Sequence, residues 1–494
     1  MSDGARTAAW DRLRAWMGVL QDLHQTEAVL EWDRETVMPP GAAGARGAQL
    51  ATVAALGHRE LLRPEVEADL DVLDGDGDAD VAAAVRLARR LRARAARLPE
   101  TLVREITEAS SRSVTTWMAA KPAEDLPAYL DALRPLVALK REEARLLADG
   151  GEAYDALIDQ FEPGARASEL GALLDGLIAR VRPLVDELDG DGGPDLPERM
   201  WPADAQVALG HDLARAVGFD LRCGLVGLTA HPVTMALGAG DTRFSTRVDE
   251  RDPFSSLMAV MHELGHALYD QGLPDRYART LLWEAPSLGA HESQSRFWEN
   301  HVARSAAFWS WAEPRLRERF PDQMDGITPD GLRRGLNRVR RSLVRTEADE
   351  VTYDLHIALR FRLERALIAG DLEVDDLPGA WDEGMVELLG LRPPSPSLGV
   401  MQDVHWPAGM IGYFPTYSLG NVYAAQLAAA LAREVGPIDE VLPDQGFAPL
   451  LGFMRERVHD AGNRLPTPEL MRAATGAPIG IDDFVAHLEA TYRP

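Results

Sequence analysis

A mainly α-helical fold with one small β-ribbon is predicted by three features of the sequence. Apolar residues recur at three- and four-residue spacing over most of the chain, short breaks rich in Gly, Pro and Asp interrupt them, and one stretch sets β-forming residues among glycines. From Thr7 to about Leu147 the apolar positions, such as Leu13, Trp16, Met17, Leu20 and Leu23, alternate with charged ones in the manner of long amphipathic helices. Breaks fall at Met38-Pro39-Pro40-Gly41, at the acidic Asp74-Gly75-Asp76-Gly77-Asp78, near Lys121-Pro122, and from Asp189 to Pro197. The β-forming stretch runs from Gly224 to Val248, where Leu225, Val226, Val233, Thr234, Phe244, Thr246 and Val248 sit among glycines.

These interruptions are short, and no fixed-period repeat or long low-complexity linker divides the chain. The expectation is a single domain over residues 1–494: a helical part at 1–223, the ribbon at 224–250 and a second helical part at 251–494. With 494 residues and 46 % hydrophobic content, such a body can bury a large core. The net charge of −26 makes nucleic acid phosphates and anionic membrane surfaces poor partners. One cysteine, Cys223, excludes an intrachain disulfide and fits a reducing compartment, so a soluble cytoplasmic protein is expected. Neither an apolar signal core after Met1 nor a bilayer-length apolar run is present in the sequence.

Residues 262–266 read His-Glu-Leu-Gly-His. On a helix, side chains four positions apart share one face with Cβ atoms roughly 5–6 Å apart, so His262 and His266 can chelate one ion. Asp252 as N-cap, Pro253 in the first turn, apolar Phe254, Leu257, Met258, Met261, Leu264 and Leu268, and a stop at Gly272 and Pro274 predict that helix. Downstream, His291-Glu292-Ser293-Gln294 enters a second helical pattern and offers Glu292 as a third ligand. His291 and Glu299 are competing choices that spacing alone does not separate. Three protein ligands leave the fourth position of a tetrahedral ion open for water, the mark of a catalytic rather than a structural site. Zinc is the expected ion, one per chain, although the same His₂Glu donor set accepts cobalt or manganese. Glu263, beside the first ligand, is placed to act as general base in peptide hydrolysis.

Beyond this motif the chain resembles the carboxypeptidase Taq family of metallocarboxypeptidases over nearly its whole length. Near the N-terminus Trp32-Asp33, Glu35-Thr36, Met38-Pro39, Gly41, Arg46 and Gln49 look like that family's opening block, and Tyr154 to Gly164 like a second. His231-Pro232, Asp241-Thr242-Arg243, His262 to His266, His291 to Gln294, Arg345 to Asp349 and Gly399 to Trp406 follow in the family's order. Departures are mild: Val233 where phenylalanine is usual, Ser245 where threonine is usual, Val344 where isoleucine is common. The resemblance implies a saddle- or clam-shaped helical domain with a deep groove, a homodimer, and removal of C-terminal residues from peptide substrates with broad specificity.

A carboxypeptidase must recognise a free α-carboxylate, which a guanidinium can do with two parallel charge-assisted hydrogen bonds. Arg345 reads by itself as part of an arginine-rich helix with Arg334, Arg338, Arg340 and Arg341, a solvated face; the family's Arg-x-x-Ala-Asp pattern singles it out for the carboxylate. His405, in Gln402-Asp403-Val404-His405-Trp406, could hydrogen-bond the oxyanion or the substrate carboxylate, or simply pack. Tyr413 is the first choice for polarising the scissile carbonyl and Tyr417 the second, both on a Gly/Pro-bounded segment, with core packing as the alternative. Asp241 and Arg243 either shape a cleft wall along which an extended peptide adds a strand or pair internally to hold the ribbon. The competing function is a thimet-type oligoendopeptidase, which shares a helical clam, HExxH and a downstream glutamate; the Arg345 and His405 blocks argue against it.

Overall fold

Chain punctuation sets the helices. In the computed structural model, which describes residues 3–190, 198–229 and 231–493, the first helix, Asp3–Thr36, stops where Met38-Pro39-Pro40 removes donors and fixes φ. Helix Glu65–Leu73 ends at the acidic break, and Asp78 then caps helix Ala79–Arg97 by accepting from the amides of Asp80 (2.9 Å) and Val81 (3.1 Å). Helix Glu100–Ala123 continues one residue through Pro122 before ending at Glu124, which adopts φ 54°. At the fourth predicted break, helix Ala167–Leu188 has ended before Asp189, and residues 191–197 lie outside the described part.

Leu13, Trp16 and Met17 turn inward against Val66, Leu70 and Val85, forming a small cluster that seats the first helix. A much larger core contains buried side chains from Ala83 to Tyr492 and includes the fully buried Trp201, Trp298, Trp309 and Trp381. Among the described residues, no helix is long and apolar enough to cross a membrane.

The ribbon is a three-stranded mixed sheet: β1 (Gly224–Leu228), β2 (Thr234–Gly238) and β3 (Asp241–Thr246), in the order β1-β3-β2. β3 is central, parallel to β1 and antiparallel to β2. The turn from β2 to β3 spans two residues, and Gly240 takes φ 83° there, a conformation that costs a residue with a Cβ. Among the described residues no strand pairs with the outer edge of β2, and Thr234, Met235 and Ala236 face a groove of about 920 Å³ lined on other sides by Gln25 of the first helix and by His291.

The motif helix, Pro253–Gly272, has the predicted cap: the Asp252 carboxylate accepts from the Ser255 amide at 3.0 Å. Its apolar face, with Phe254, Leu257, Met261, Leu264 and Leu268, is buried. The second helix, Leu288–Arg296, is capped by Ser287 and runs into a π-helical turn at Phe297–Val302. Its backbone lies against Gly265 of the motif helix: a Cβ there would come within 2.5 Å of the Gln294 carbonyl oxygen and 2.6 Å of Ser295 Cα. Gly420, in helix Pro415–Glu434, approaches from the other side, where a Cβ would meet Glu292 Cγ at 2.4 Å. Gly265 and Gly420 let three helices close around Glu292.

The arginine-rich segment is not the predicted helix. Helix Pro329–Leu336 ends at Asn337, and Arg345 sits in a 3₁₀ turn, Arg345–Glu347, after a non-helical passage. Side chains take the place of helical acceptors: the Arg340 amide donates to Asp349 Oδ2 (2.8 Å) and the Arg341 amide to Asp189 Oδ1 (3.3 Å). Asp349 also caps helix Glu350–Ala369 through the Val351 and Thr352 amides. One carboxylate thus holds the non-helical passage and starts the next helix.

Candidate active site

His262 and His266 project from one face of the motif helix, with ring centroids 5.0 Å apart. Glu292 Oε2 lies 3.9 Å from His262 Nε2 and 3.4 Å from His266 Nε2, and the three donor atoms all lie within 4.8 Å of one another. The two competing ligands stand differently. Glu299 Oε2 accepts from His262 Nδ1 at 2.8 Å, and His291 stacks on His266 at 4.4 Å while its Nε2 pairs with Asp270 Oδ1 at 3.0 Å. With Glu299 on Nδ1, it is Nε2 of His262 that faces Glu292. Two imidazole nitrogens and one carboxylate oxygen form a donor set suited to a borderline divalent ion, so these residues fit a catalytic metal.

Charge around the trio is balanced by Arg296, whose Nε donates to Glu292 Oε1 (2.7 Å) and whose Nη1 donates to Glu299 Oε2 (3.2 Å). Burial opposes ionisation of Glu292, but Arg296 and the two histidines outweigh it and hold the carboxyl well below its usual range. Burial likewise opposes a charged His262, and Glu292 and Glu299 overcome it, pushing its pKa up to about 9. The pocket therefore favours positive charge in front of Glu292.

Glu263, 7 % exposed, follows His262 on the helix. Its Oε2 accepts a 2.7 Å hydrogen bond from the Thr234 hydroxyl, which also lies 3.0 Å from the Glu263 carbonyl oxygen. Strand β2 thereby sets the direction of the carboxylate. Thr234 is one of the residues that sequence reasoning did not assign a role; it lies 29 positions from Glu263, and no local pattern marks it.

Arg345 is buried and already engaged. Its Nε and Nη2 donate to Asp403 Oδ1 (3.0 and 2.9 Å) and its Nη1 to the Tyr353 hydroxyl (2.9 Å). Arg360, wholly buried, grips the other oxygen of Asp403 at 2.7 and 2.6 Å. The cluster of two guanidinium groups and one carboxylate carries one positive charge in excess. Asp403 and Arg360 were not assigned roles from sequence, although Asp403 lies inside the Gln402-to-Trp406 block.

His405 Nε2 lies 3.2 Å from the Tyr417 hydroxyl, while its buried Nδ1 has no hydrogen-bond partner among the described residues. Burial, aided by Arg345, lowers its pKa to about 3, so the ring is neutral. Tyr413 and Tyr417 stand 5.3 Å apart between their ring centroids, and the Arg345 guanidinium lies 5.0 Å from the Tyr417 ring. Burial and then the Glu292 charge push Tyr413 up to about 12, so its phenol keeps its proton at neutral pH. Asp241 and Arg243 pair with each other through two hydrogen bonds of 2.8 and 2.7 Å on the central strand, which has β1 on one side and β2 on the other.

The family model of carboxypeptidase Taq (M32) metallopeptidases matches residues 12–492. Thermostable carboxypeptidase 1 of Thermus thermophilus is 39 % identical over 502 residues, covering 98 % of this chain and 98 % of its own length. The protein of the same name from Pyrococcus furiosus is 33 % identical, over 94 % of this chain and 95 % of its own. A solved M32 carboxypeptidase from Deinococcus radiodurans R1 superposes with a TM-score of 0.95 at 37 % identity, covering 98 % of this chain and 99 % of that one. These relatives are carboxypeptidases by name, which favours exopeptidase action over the thimet-type alternative. With its fold and sequence matched from end to end, the chain belongs to the carboxypeptidase Taq (M32) family and is a metal-dependent carboxypeptidase.

Proposed function

We propose that this carboxypeptidase holds one divalent ion, zinc by preference and cobalt or manganese by availability, on His262, His266 and Glu292, and uses Glu263 as general base. The observation that carries the reading is the approach of Glu292 Oε2 to both histidine Nε2 atoms, with Glu263 oriented beside them by Thr234. An ion bound there supplies Lewis acidity and lowers the pKa of water to about 7. Glu263 takes a proton from the attacking water and delivers it to the leaving amine, a role worth roughly 10² to 10⁴-fold. Tyr413, a protonated phenol at neutral pH, donates a hydrogen bond to the carbonyl oxygen as negative charge grows on it.

The substrate's terminal carboxylate completes the Arg345–Asp403–Arg360 cluster, whose excess positive charge is the partner it requires. Asp403 fixes the plane of Arg345, and Tyr417 and neutral His405 supply adjacent polar atoms. The preceding residues of the peptide extend along the free edge of β2, while Asp241 and Arg243 keep β3 in place behind it. Broad side-chain specificity, a homodimer and one catalytic unit spanning the chain follow the family resemblance; the lone Cys223 supports a reducing, cytoplasmic setting.

Mass spectrometry of a peptide ladder, with free and amidated C-termini, after incubation with metal-loaded and chelator-treated protein tests this reading. Stepwise loss from free C-termini only, and only with metal, is expected. Internal cleavage of the amidated peptides at a comparable rate would overturn it.

A further inference from the structure

Away from the catalytic trio, three side chains from distant parts of the chain converge on one point. His301 comes from the π-helical turn Phe297–Val302, Glu350 opens helix Glu350–Ala369, and His487 lies in the last helix, Asp482–Tyr492. One ligand atom from each lies within 4.8 Å of the other two, the same criterion that the catalytic trio meets. His487 Nε2 stands 3.1 and 3.2 Å from the two Glu350 oxygens, and the His301 and His487 rings lie 3.9 Å apart between centroids. His487 Nε2 and Glu350 are joined there by a direct hydrogen bond, and since bonds of about 2.0–2.2 Å to a tetrahedral ion require donor atoms spaced by little more than 3 Å, an ion could take the place of that proton with little movement of either side chain.

The remaining surroundings leave room for a cation's role. His301 and Glu350 are buried and His487 half-buried. His301 is 9 % exposed, and its ring packs against Phe297 and His487 with no hydrogen bond from either ring nitrogen to the described residues, which leaves those nitrogens open to a ligand. Arg304 contributes positive charge near Glu350, but its guanidinium hydrogen bonds go to the Leu336 carbonyl, Asn337 Oδ1 and Asn300 Oδ1. Tyr492 donates to Glu350 Oε2 at 3.1 Å, as an outer partner of a ligating carboxylate would.

We propose that His301, Glu350 and His487 form a second divalent-cation site that clamps the C-terminal helix to the turn carrying Glu299. His₂–carboxylate ligation suits zinc. Glu299 lies two residues before His301 and holds His262 Nδ1, so an ion here steadies the support of the first ligand from behind. It acts as a structural fastener, remote from the reacting bond.

The full-length protein is stripped with chelator, reloaded with zinc, freed of excess and analysed for bound metal. The parent should retain about two ions per chain, His262→Ala about one, His487→Gln about one and the double variant none. Zinc should also raise the Tm of His262→Ala, and His487→Gln added to that background should abolish the rise. One ion in the parent with none in His262→Ala would overturn the proposal, as would two ions in His487→Gln. Should His487→Gln fail to fold, the single variant His262→Ala still decides: one retained zinc with a metal-dependent Tm supports the site, and none overturns it.

Discussion

The Thr234 hydroxyl donates to Glu263 Oε2 at 2.7 Å, so a strand at the edge of the groove aims a carboxylate that belongs to the motif helix. Thr234→Val should lower kcat by about tenfold with metal content unchanged, because a methyl group cannot hold the carboxylate direction. Thr234→Ser should recover most of the rate. Glu263→Gln should bind metal as the parent does yet lose nearly all turnover, since an amide accepts no proton from water. A Thr234→Val enzyme as fast as the parent would free Glu263 from this support.

Ligand and supporting carboxylates should separate by metal affinity. Glu292→Ala removes an oxygen that faces both histidine Nε2 atoms, whereas Glu299→Ala removes the acceptor behind His262 Nδ1 and a contact of Arg296. Losses of roughly 10–100-fold in affinity are typical of such outer partners, and Glu292→Ala should exceed them. Competition with a metal-chelating dye measures both, and equal affinities in Glu292→Ala and the parent would require a different third ligand.

Arg345→Ala should lower kcat/KM for peptides with free C-termini by at least about tenfold, the equivalent of a charged hydrogen bond of roughly 1.5–3 kcal/mol. Asp403 keeps Arg360 in the variant, so what disappears is the excess positive charge rather than the whole cluster. Arg345→Lys should restore only part, lacking the planar fork. Exposed Arg340, outside the Arg345–Asp403–Arg360 cluster, gives the control: Arg340→Ala should leave kcat/KM for free C-termini close to that of the parent. Equal defects in the two alanine variants would point to general electrostatics.

Buried Glu364 makes stability depend on pH. Oε1 accepts from the Trp406 indole (2.8 Å), and Oε2 from the Tyr154 hydroxyl (2.6 Å) and the Gly412 amide (2.8 Å), yet burial outweighs these donors and pushes its pKa from 4.5 up to about 7. The folded state thus binds the proton more tightly than the unfolded one. Its contribution is fully present below pH 4.5 and falls as pH rises towards about 7. Glu364→Gln cannot ionise, so its urea stability, though lower overall through a mismatched amide, should change less between pH 5 and 8 than the parent's. The parent should lose on the order of 2–3 kcal/mol more than the variant across that range. Parallel pH profiles would show that Glu364 does not titrate in this window.

Local chemistry explains which elements were legible. Asp252, Pro253, the apolar face and Gly272 all act within one helix, so its limits and its paired histidines followed from spacing. Arg345 was misplaced in a helix because the preceding one has ended at Asn337 and the passage beyond it is held by distant side chains, Asp349 accepting from the Arg340 amide, which helical periodicity does not register. The competition among His291, Glu292 and Glu299 was likewise undecidable along the chain: all three reach the histidines, and only the fold shows one facing Nε2, one behind Nδ1 and one stacked on a ring. The ribbon was visible from its composition, but its strand order was not, since β1 joins β3 in parallel across the intervening β2.

Gly265 carries a lesson for anyone transplanting this centre into another scaffold. The backbone of the second helix passes so near that even a methyl group at position 265 would strike it, which makes the second variable position of the motif an interhelical spacer. A grafted His-Glu-x-x-His segment with alanine there would still present two imidazoles. Its neighbouring helix, however, would stand off by the width of a side chain, and the carboxylate would arrive too far away to close the ligand set. Designers should therefore copy the helix pair and its separation, and let the five-residue signature come with them.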